Sequence, residues 1–124
     1  MSRSPHKPPS PESFLPVPPA TFHILLALAD GELHGYAIMQ DVAQRSDGAV
    51  RLGPGTLYGA LKRLLAARLV EESGERAPPE RDDERRRYYR LTSLGVAVAR
   101  AEARRLDTIV RAARRKRLIG ERTA

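Results

Sequence analysis

The chain contains no cysteine and no tryptophan, and only 5% of its 124 residues are aromatic. Without cysteine it has neither a disulfide framework nor a thiolate metal site, so nothing in the sequence indicates an oxidising compartment. No stretch approaches the ~18 to 20 apolar residues of a membrane-spanning helix, and the first residues lack the apolar run of a signal peptide. We therefore expect a cytoplasmic protein with no membrane partner.

Groups suited to catalysis are also scarce. The three histidines lie in the N-terminal segment (His6), on the first predicted helix (His23) and at the start of the second (His34). They do not have the spacing of a metal-binding cluster, and no nucleophile with an orienting acid accompanies them. The glycine-containing run at residues 53–55 lacks the Gly-Lys-Ser/Thr that completes a phosphate-binding loop. The sequence predicts no enzymatic activity, no metal and no cofactor.

Positive charge, by contrast, is abundant. The formal net charge is +7, and nineteen of the twenty-two basic residues are arginine. The planar guanidinium group pairs well with phosphate, so anionic partners are favoured. Charge alone is equally compatible with an arginine-rich protein that is merely soluble.

The length of the chain permits one small domain. Seven prolines fall within residues 1–19. Because proline removes backbone donors and favours an extended chain, we predict that this segment is a disordered tail outside the fold. The remaining predicted boundaries are a folded domain at residues 20–92, a C-terminal helix at residues 93–118 and a short tail at residues 119–124.

Apolar residues at helical spacing predict four helices. The first runs from about residue 19 to 29, the second follows His34 and ends near Ser46, and the fourth runs from Thr92 to about Arg117. A very short strand is predicted at residues 50–52. The third helix opens at Pro54, which suits a first-turn position because its missing N–H would have no helical partner.

The third helix is amphipathic. Its buried face is predicted from apolar residues at i, i+4, i+7 and i+8, namely Leu57, Leu61, Leu64 and Leu65. The opposite face has small residues at its centre and cations at its margin, namely Thr56, Gly59, Lys62, Arg63 and Ala66. This outer face would allow the helix backbone to approach a rigid surface closely.

A pair of strands follows the third helix directly. Residues 69–73 and 87–91 are rich enough in apolar and aromatic side chains to pair, and a charged connection with two prolines predicts a mobile tip between them. A basic helix followed by an arginine-rich hairpin is the layout of a winged helix-turn-helix. The predicted fold is therefore mainly α with a small β-hairpin, extended by a long C-terminal helix.

The C-terminal helix carries two apolar stripes. The first consists of Leu94, Ala97, Val98 and Ala101 and suits packing on the helix's own domain. The second has heptad spacing and predicts a homodimer seam. It consists of Val96, Ala99, Ala103, Leu106, Val110 and Ala113. The alternative is one broad apolar face that packs within a single chain.

Three motifs together resemble the PadR family of bacterial transcriptional regulators, in the short form with a single C-terminal helix. They are His34-Gly35-Tyr36, Pro54-Gly55-Thr56-Leu57-Tyr58, and Arg87-Tyr88-Tyr89-Arg90-Leu91-Thr92 with Gly95. The resemblance covers about residues 21–117. It implies a dimeric winged-helix repressor that binds a pseudo-palindromic operator in double-stranded DNA, with a small hydrophobic molecule as the effector that releases it.

The resemblance also implies which residues contact DNA. Thr56 and Tyr58 would lie at the start of the recognition helix, Lys62 and Arg63 would follow along the groove, and Tyr36 would brace the backbone. The physical chemistry agrees, because helix N-termini bind phosphate and cationic side chains reach guanine edges. The full predicted set is Tyr36, Pro54, Gly55, Thr56, Tyr58, Lys62, Arg63, Arg85, Arg86 and Arg87. Packing is the alternative role for the Tyr58 ring, and strand alternation prevents the three wing arginines from facing the same way.

Two other functions remain open at this point. The winged helix could be a protein interaction module whose basic helix binds an acidic partner. The protein could also package the nucleoid without sequence preference, because residues 100–117 hold eight cations against two acids.

Overall fold

The computed structural model describes residues 9–77 and 85–120. Helix α1 (Pro19–Ala27) continues into a 3₁₀ turn (Leu28–Asp30) and is followed by strand β1 (Leu33–His34) and helix α2 (Gly35–Arg45). The remaining elements are helix α3 (Pro54–Ala66), strands β2 (Val70–Arg76) and β3 (Arg86–Leu91), and helix α4 (Ser93–Arg115). The order matches the predicted helices and hairpin, with β1 as an addition.

The three strands form an antiparallel sheet in the order β1-β3-β2. β3 is central, because it pairs with β2 along its length and with the two residues of β1 on its other edge. A bulge at Ser73 shifts the register between β2 and β3. The strand predicted at residues 50–52 is absent. Instead, the backbone N–H and carbonyl of Val50 are both bonded to the Ser46 hydroxyl, which closes the loop before α3.

The core lies where α1, α2, α3 and α4 meet the sheet. α3 buries Leu57, Leu61 and Leu64, as their spacing predicts, and they pack with the buried apolar residues of α1 and α2. The opposite face of α3 is left towards solvent. Burial of this one leucine stripe therefore orients the outer face of α3. If the helix were turned about its axis, each leucine would become exposed and its contribution of about 1.5–3 kcal/mol to folding would be lost.

The predicted disorder of residues 1–19 is wrong for residues 11–19. Pro11–Phe14 form a 3₁₀ turn that packs against α4, and Val17 is only 6% exposed. The prolines fix the backbone dihedral angles in advance, so the entropy lost on ordering this segment is small, and burial of Val17 and Phe14 offsets it. The folded unit thus begins near Pro11. Residues 1–8, residues 78–84 with the predicted mobile tip, and residues 121–124 lie outside the described residues.

A buried carboxylate fastens this N-terminal segment to α4. Glu102 is 2% exposed and accepts hydrogen bonds from Nε and Nη2 of Arg105, at 2.8 and 2.7 Å, and from the backbone N–H of Val17. The Arg105 hydrogen bond lowers the pKa of the Glu102 carboxyl below its ordinary value, against the opposing effect of burial. The proline-rich segment is therefore held by a charge-assisted bond as well as by apolar packing.

α4 begins at a capped terminus and extends beyond the domain. The Thr92 hydroxyl accepts a hydrogen bond from the Gly95 N–H at 3.0 Å, and Val98 and Ala101 of the first stripe are buried in the domain. In the second stripe Ala103 and Val110 are exposed, while Val96, Ala99, Leu106 and Ala113 are half-buried. The homodimer seam stays a prediction. No helix in the described ranges is long and apolar enough to cross a membrane.

Candidate nucleic-acid interface

The N-terminus of α3 is open to solvent. Gly53 precedes the helix in an extended conformation, and Pro54 occupies the first helical position. The first intrahelical hydrogen bond is donated by Leu57 to the Gly53 carbonyl, so the N–H groups of Gly55 and Thr56 lie outside the helical bonding pattern. With the Thr56 hydroxyl, they form a group of donors at the positive end of the helix dipole, which favours an anion such as phosphate.

The outer face of α3 is cationic. Lys62 and Arg63 are exposed, and neither forms an ion pair with any residue in the described ranges. Arg63 also borders a shallow apolar depression beside Phe14 and Val17, so it lies towards the N-terminal segment. Gly59 on the same helix has no side chain and is half-buried, and the Arg63 guanidinium lies over its backbone, with Nη1 3.7 Å from the position that a Cβ would take.

The other predicted residues meet in one cavity of about 430 Å³ between α2, α3 and the hairpin. Its lining consists of Gly35, Tyr36, Tyr58, Glu75, Arg85, Arg86, Arg87 and Tyr89. Five of the ten residues predicted to bind DNA thus come together here. The other five, Pro54, Gly55, Thr56, Lys62 and Arg63, lie exposed on α3 outside this lining.

Tyr58 packs against α2 and at the same time exposes part of its side chain to solvent. Its ring lies against the backbone of Gly35, where a Cβ would collide with the Tyr58 hydroxyl, and the residue is still 48% exposed. The contact joins the start of α2 to the start of α3, and only glycine at position 35 leaves room for it. The two roles weighed for Tyr58, packing and surface contact, are therefore compatible in one position.

Tyr36 and Arg86 form a second contact between α2 and the hairpin. The Arg86 guanidinium lies 5.4 Å from the centre of the Tyr36 ring, and Tyr36 is 51% exposed. Behind them, Tyr88 is covered edge-on by His34 and by the guanidinium of Arg76, 3.7 Å from its ring centre. These stacked side chains fix the hairpin against the start of α2.

Arg85 and Arg87 lie on the other face of β3 from Arg86, as strand alternation requires. Both face carboxylates of β2. Arg87 Nε is 3.7 Å from a Glu72 oxygen, and Arg85 Nε is 4.0 Å from a Glu75 oxygen. Arg85 Nη2 also donates to the Glu75 backbone carbonyl at 2.8 Å. The structure thus places two wing arginines beside acids and one on an aromatic ring.

Sequence reasoning missed these acids, which lie beside the buried Tyr89. Burial raises the pKa of the Tyr89 phenol, and the nearby Glu72 carboxylate raises it further. The three acids of β2 (Glu71, Glu72 and Glu75) opposite the arginines of β3 were a usable signal, because residues of opposite charge pair across antiparallel strands. The residues that the structure describes contain no cluster of His, Asp or Glu able to hold a metal ion.

A comparison with protein-family models identifies the family. The model of the Transcriptional regulator PadR-like family matches residues 24–101, well over half of the chain. The chain belongs to this family. The predicted resemblance is confirmed. Members of this family are transcription regulators, which also confirms the expectation that the protein is not an enzyme.

Known proteins that are similar to this chain in sequence include the following two. Transcriptional regulator Rv3488 of Mycobacterium tuberculosis is 37% identical over 89 residues, which are 72% of this chain and 77% of that protein. A 37.1 kDa protein in transposon TN4556 of Streptomyces fradiae is 57% identical over 58 residues, which are 44% of this chain. The match spans only 16% of the length of the Streptomyces protein.

Solved structures share the fold. A PadR family transcription regulator from Clostridium difficile matches with a TM-score of 0.63 and 24% identity, over 77% of this chain and 94% of that chain. PadR of Bacillus subtilis, solved in complex with operator DNA, matches with a TM-score of 0.54 and 17% identity, over 88% of this chain and 51% of that chain. The predicted winged helix-turn-helix with a long C-terminal helix is confirmed as the fold.

Proposed function

We propose that this regulator is a homodimeric repressor that binds a pseudo-palindromic operator, with α3 in the major groove and the β2–β3 hairpin at the flanking minor groove. The observation that carries the proposal is the exposed N-terminus of α3 with Thr56, Lys62 and Arg63, beside a cavity that gathers Tyr36, Tyr58 and the wing arginines. The operator complex of Bacillus subtilis PadR supports the same use of this fold.

The apolar surface that α4 leaves uncovered supports the proposed dimer. Ala103 and Val110 of the heptad stripe are exposed, and Ile109 beside them is 52% exposed. A second α4 packed on this stripe would bury these side chains. Two α3 helices related by the twofold axis would then enter successive major grooves about one helical turn, ~34 Å, apart.

Charge reversal on α3 tests the proposal. A duplex is first selected from a random library by its binding to the wild-type protein, and its affinity is compared with that of a scrambled duplex by fluorescence anisotropy. In the variant Lys62→Glu/Arg63→Glu, preference for the selected duplex should disappear. The slope of log K against log salt should also become shallower, by about 0.9 for each phosphate that the variant no longer neutralises.

The control variant is Arg100→Glu/Arg104→Glu, which makes the same change in net charge at two exposed positions of α4. It should keep the preference for the selected duplex. Equal wild-type affinity for selected and scrambled DNA at moderate salt would contradict sequence-specific binding. If the wild-type protein bound an acidic protein partner and no duplex, the interaction-module function would replace this one.

The dimer is tested separately by sedimentation velocity. Leu106→Glu/Val110→Glu places charge in the stripe and should convert a dimer into monomers, because burying unpaired carboxylates is unfavourable. Arg104→Glu, on a different face of the helix, is the control. A wild-type protein that sediments as a monomer at micromolar concentration would contradict the dimer.

The small hydrophobic effector has a candidate site beside α4. An apolar cavity of about 450 Å³ lies between the N-terminal segment, α1 and α4, and Pro16, Phe22 and Leu106 are part of its lining. This volume is within the range of small-molecule sites. The fluorophore 1-anilinonaphthalene-8-sulfonate should bind there and weaken DNA binding, and an unchanged DNA affinity at saturating fluorophore would contradict the effector role.

A further inference from the structure

We propose that Glu72 and Glu75 compete with DNA phosphates for the wing arginines and thereby limit sequence-independent binding. The inference rests on the proposed function, since it concerns how the hairpin meets a duplex. It adds a role for two acidic residues of β2 in a protein whose overall charge is strongly positive.

The placement of these acids follows from the register of the hairpin. Glu72 lies opposite Tyr89 and Glu75 opposite Arg87. The Ser73 bulge keeps both glutamates on one face of the sheet although they are three residues apart. Each reaches its arginine diagonally across the strands, Glu72 to Arg87 and Glu75 to Arg85.

These ion pairs are weak enough to be exchanged. The closest nitrogen-to-oxygen distances are 3.7 and 4.0 Å, and all four side chains are about half exposed or more. Exposed pairs of this kind contribute little to stability, so a phosphate that approaches the wing can take over the guanidinium groups. The carboxylates then remain beside the phosphate and repel it, which reduces the net attraction that the wing offers.

The recognition helix differs from the wing in this respect. Lys62 and Arg63 have no ion-pair partner within the described ranges, whereas Arg85 and Arg87 each have an acidic one. Sequence-independent affinity comes almost entirely from charge, because it reflects the release of counterions from phosphates. Partial neutralisation of the wing therefore lowers that affinity, while α3 keeps its full charge for the groove.

The hairpin also provides a matched control. Glu71 pairs with Arg90 across the same two strands, with Arg90 Nε 2.8 Å from a carboxylate oxygen. This pair lies on the opposite face, and Arg90 borders the turn between α1 and β1 instead of the cavity that holds Tyr36 and Tyr58. Glu71→Gln removes the same charge as either test substitution, but away from the proposed DNA surface.

The experiment measures binding of a scrambled duplex between 50 and 200 mM salt for the wild type, Glu72→Gln, Glu75→Gln, the double variant and Glu71→Gln. Each test substitution should tighten binding about three- to fivefold at low salt, and the double variant should have the steepest salt dependence. Glu71→Gln should match the wild type. Melting temperatures should agree among all variants, because the altered pairs are exposed.

The inference is overturned if the double variant has wild-type affinity and salt slope, or if Glu71→Gln tightens binding as much as Glu72→Gln or Glu75→Gln. Failure of the proposed function is distinguishable, because it is judged from the affinities of the wild-type protein alone. A wild type that binds scrambled and selected duplexes equally contradicts operator recognition, yet the salt slopes of the variants still decide the role of the two acids. A wild type that binds no duplex overturns both.

Discussion

Replacing Glu102 with glutamine tests how the N-terminal segment is joined to the domain. Glu102 is the one buried acidic residue in the described ranges, and it accepts two hydrogen bonds from Arg105 and one from the Val17 N–H. Glutamine keeps the shape but loses the charge, and its amide NH₂ group faces the donors of Arg105. Hydrogen bonds to charged groups contribute about 1.5–3 kcal/mol, so we expect a loss of about 2 kcal/mol in the free energy of unfolding.

The loss should depend on pH in a defined direction. The hydrogen bond from Arg105 lowers the folded-state pKa of Glu102 below its ordinary value of 4.5. The carboxylate therefore stabilises the fold fully above the unfolded-state pKa, and this contribution disappears as the pH falls through the lowered folded-state pKa. The difference between the wild type and Glu102→Gln should be largest at neutral pH and shrink below about pH 4.5.

Circular dichroism melts at one protein concentration measure this difference. For a chain of this length, about 2 kcal/mol corresponds to a fall of roughly 5–12 °C in Tm. The control is Glu71→Gln, which alters an exposed carboxylate and should change Tm little. Equal melting temperatures at pH 7, or a difference that stays constant from pH 7 to pH 3, would refute the reasoning.

Three further substitutions test local packing. Gly95→Ala should lower the free energy of unfolding in urea by about 1–3 kcal/mol, because its Cβ would collide with the Leu69 backbone carbonyl, and an unchanged urea midpoint would contradict this. Thr92→Ala should cost about 1 kcal/mol in the same assay through loss of the α4 cap, whereas Thr92→Ser should retain most of the stability. Gly35→Ala should displace the Tyr58 ring and weaken DNA binding in anisotropy assays, and wild-type affinity would show that this ring position is unimportant.

Long periodic patterns were read correctly from the sequence. The leucines of α3 specify both the helix and its buried face, because every register other than the observed one exposes them. The two main strands of the hairpin followed equally from their composition. These elements carry the cationic outer face of α3 and the wing arginines, so the candidate surface could be outlined without a structure.

Features that depend on pairing between residues distant in the sequence could not be predicted from sequence patterns. Strand β1 has two residues, too few for a periodic signal, and it exists because Leu33 and His34 pair with β3. The proline-rich segment has the composition of a tail, and it is ordered by contacts distant in sequence, with the carboxylate of Glu102 on α4 and with the apolar core. The partners of Arg85 and Arg87 depend on a bulge at Ser73 that changes which residues face each other.

In the proposed complex, two copies of the protein present paired α3 helices and wings to one duplex. Hydroxyl-radical footprinting of the wild-type protein on a duplex selected from a random library tests it most directly. Two copies bound in this way should give two protected regions related by twofold symmetry, about one helical turn or ~34 Å apart, with further protection at the flanking minor grooves. A single protected region, or even protection along the whole duplex, would contradict it.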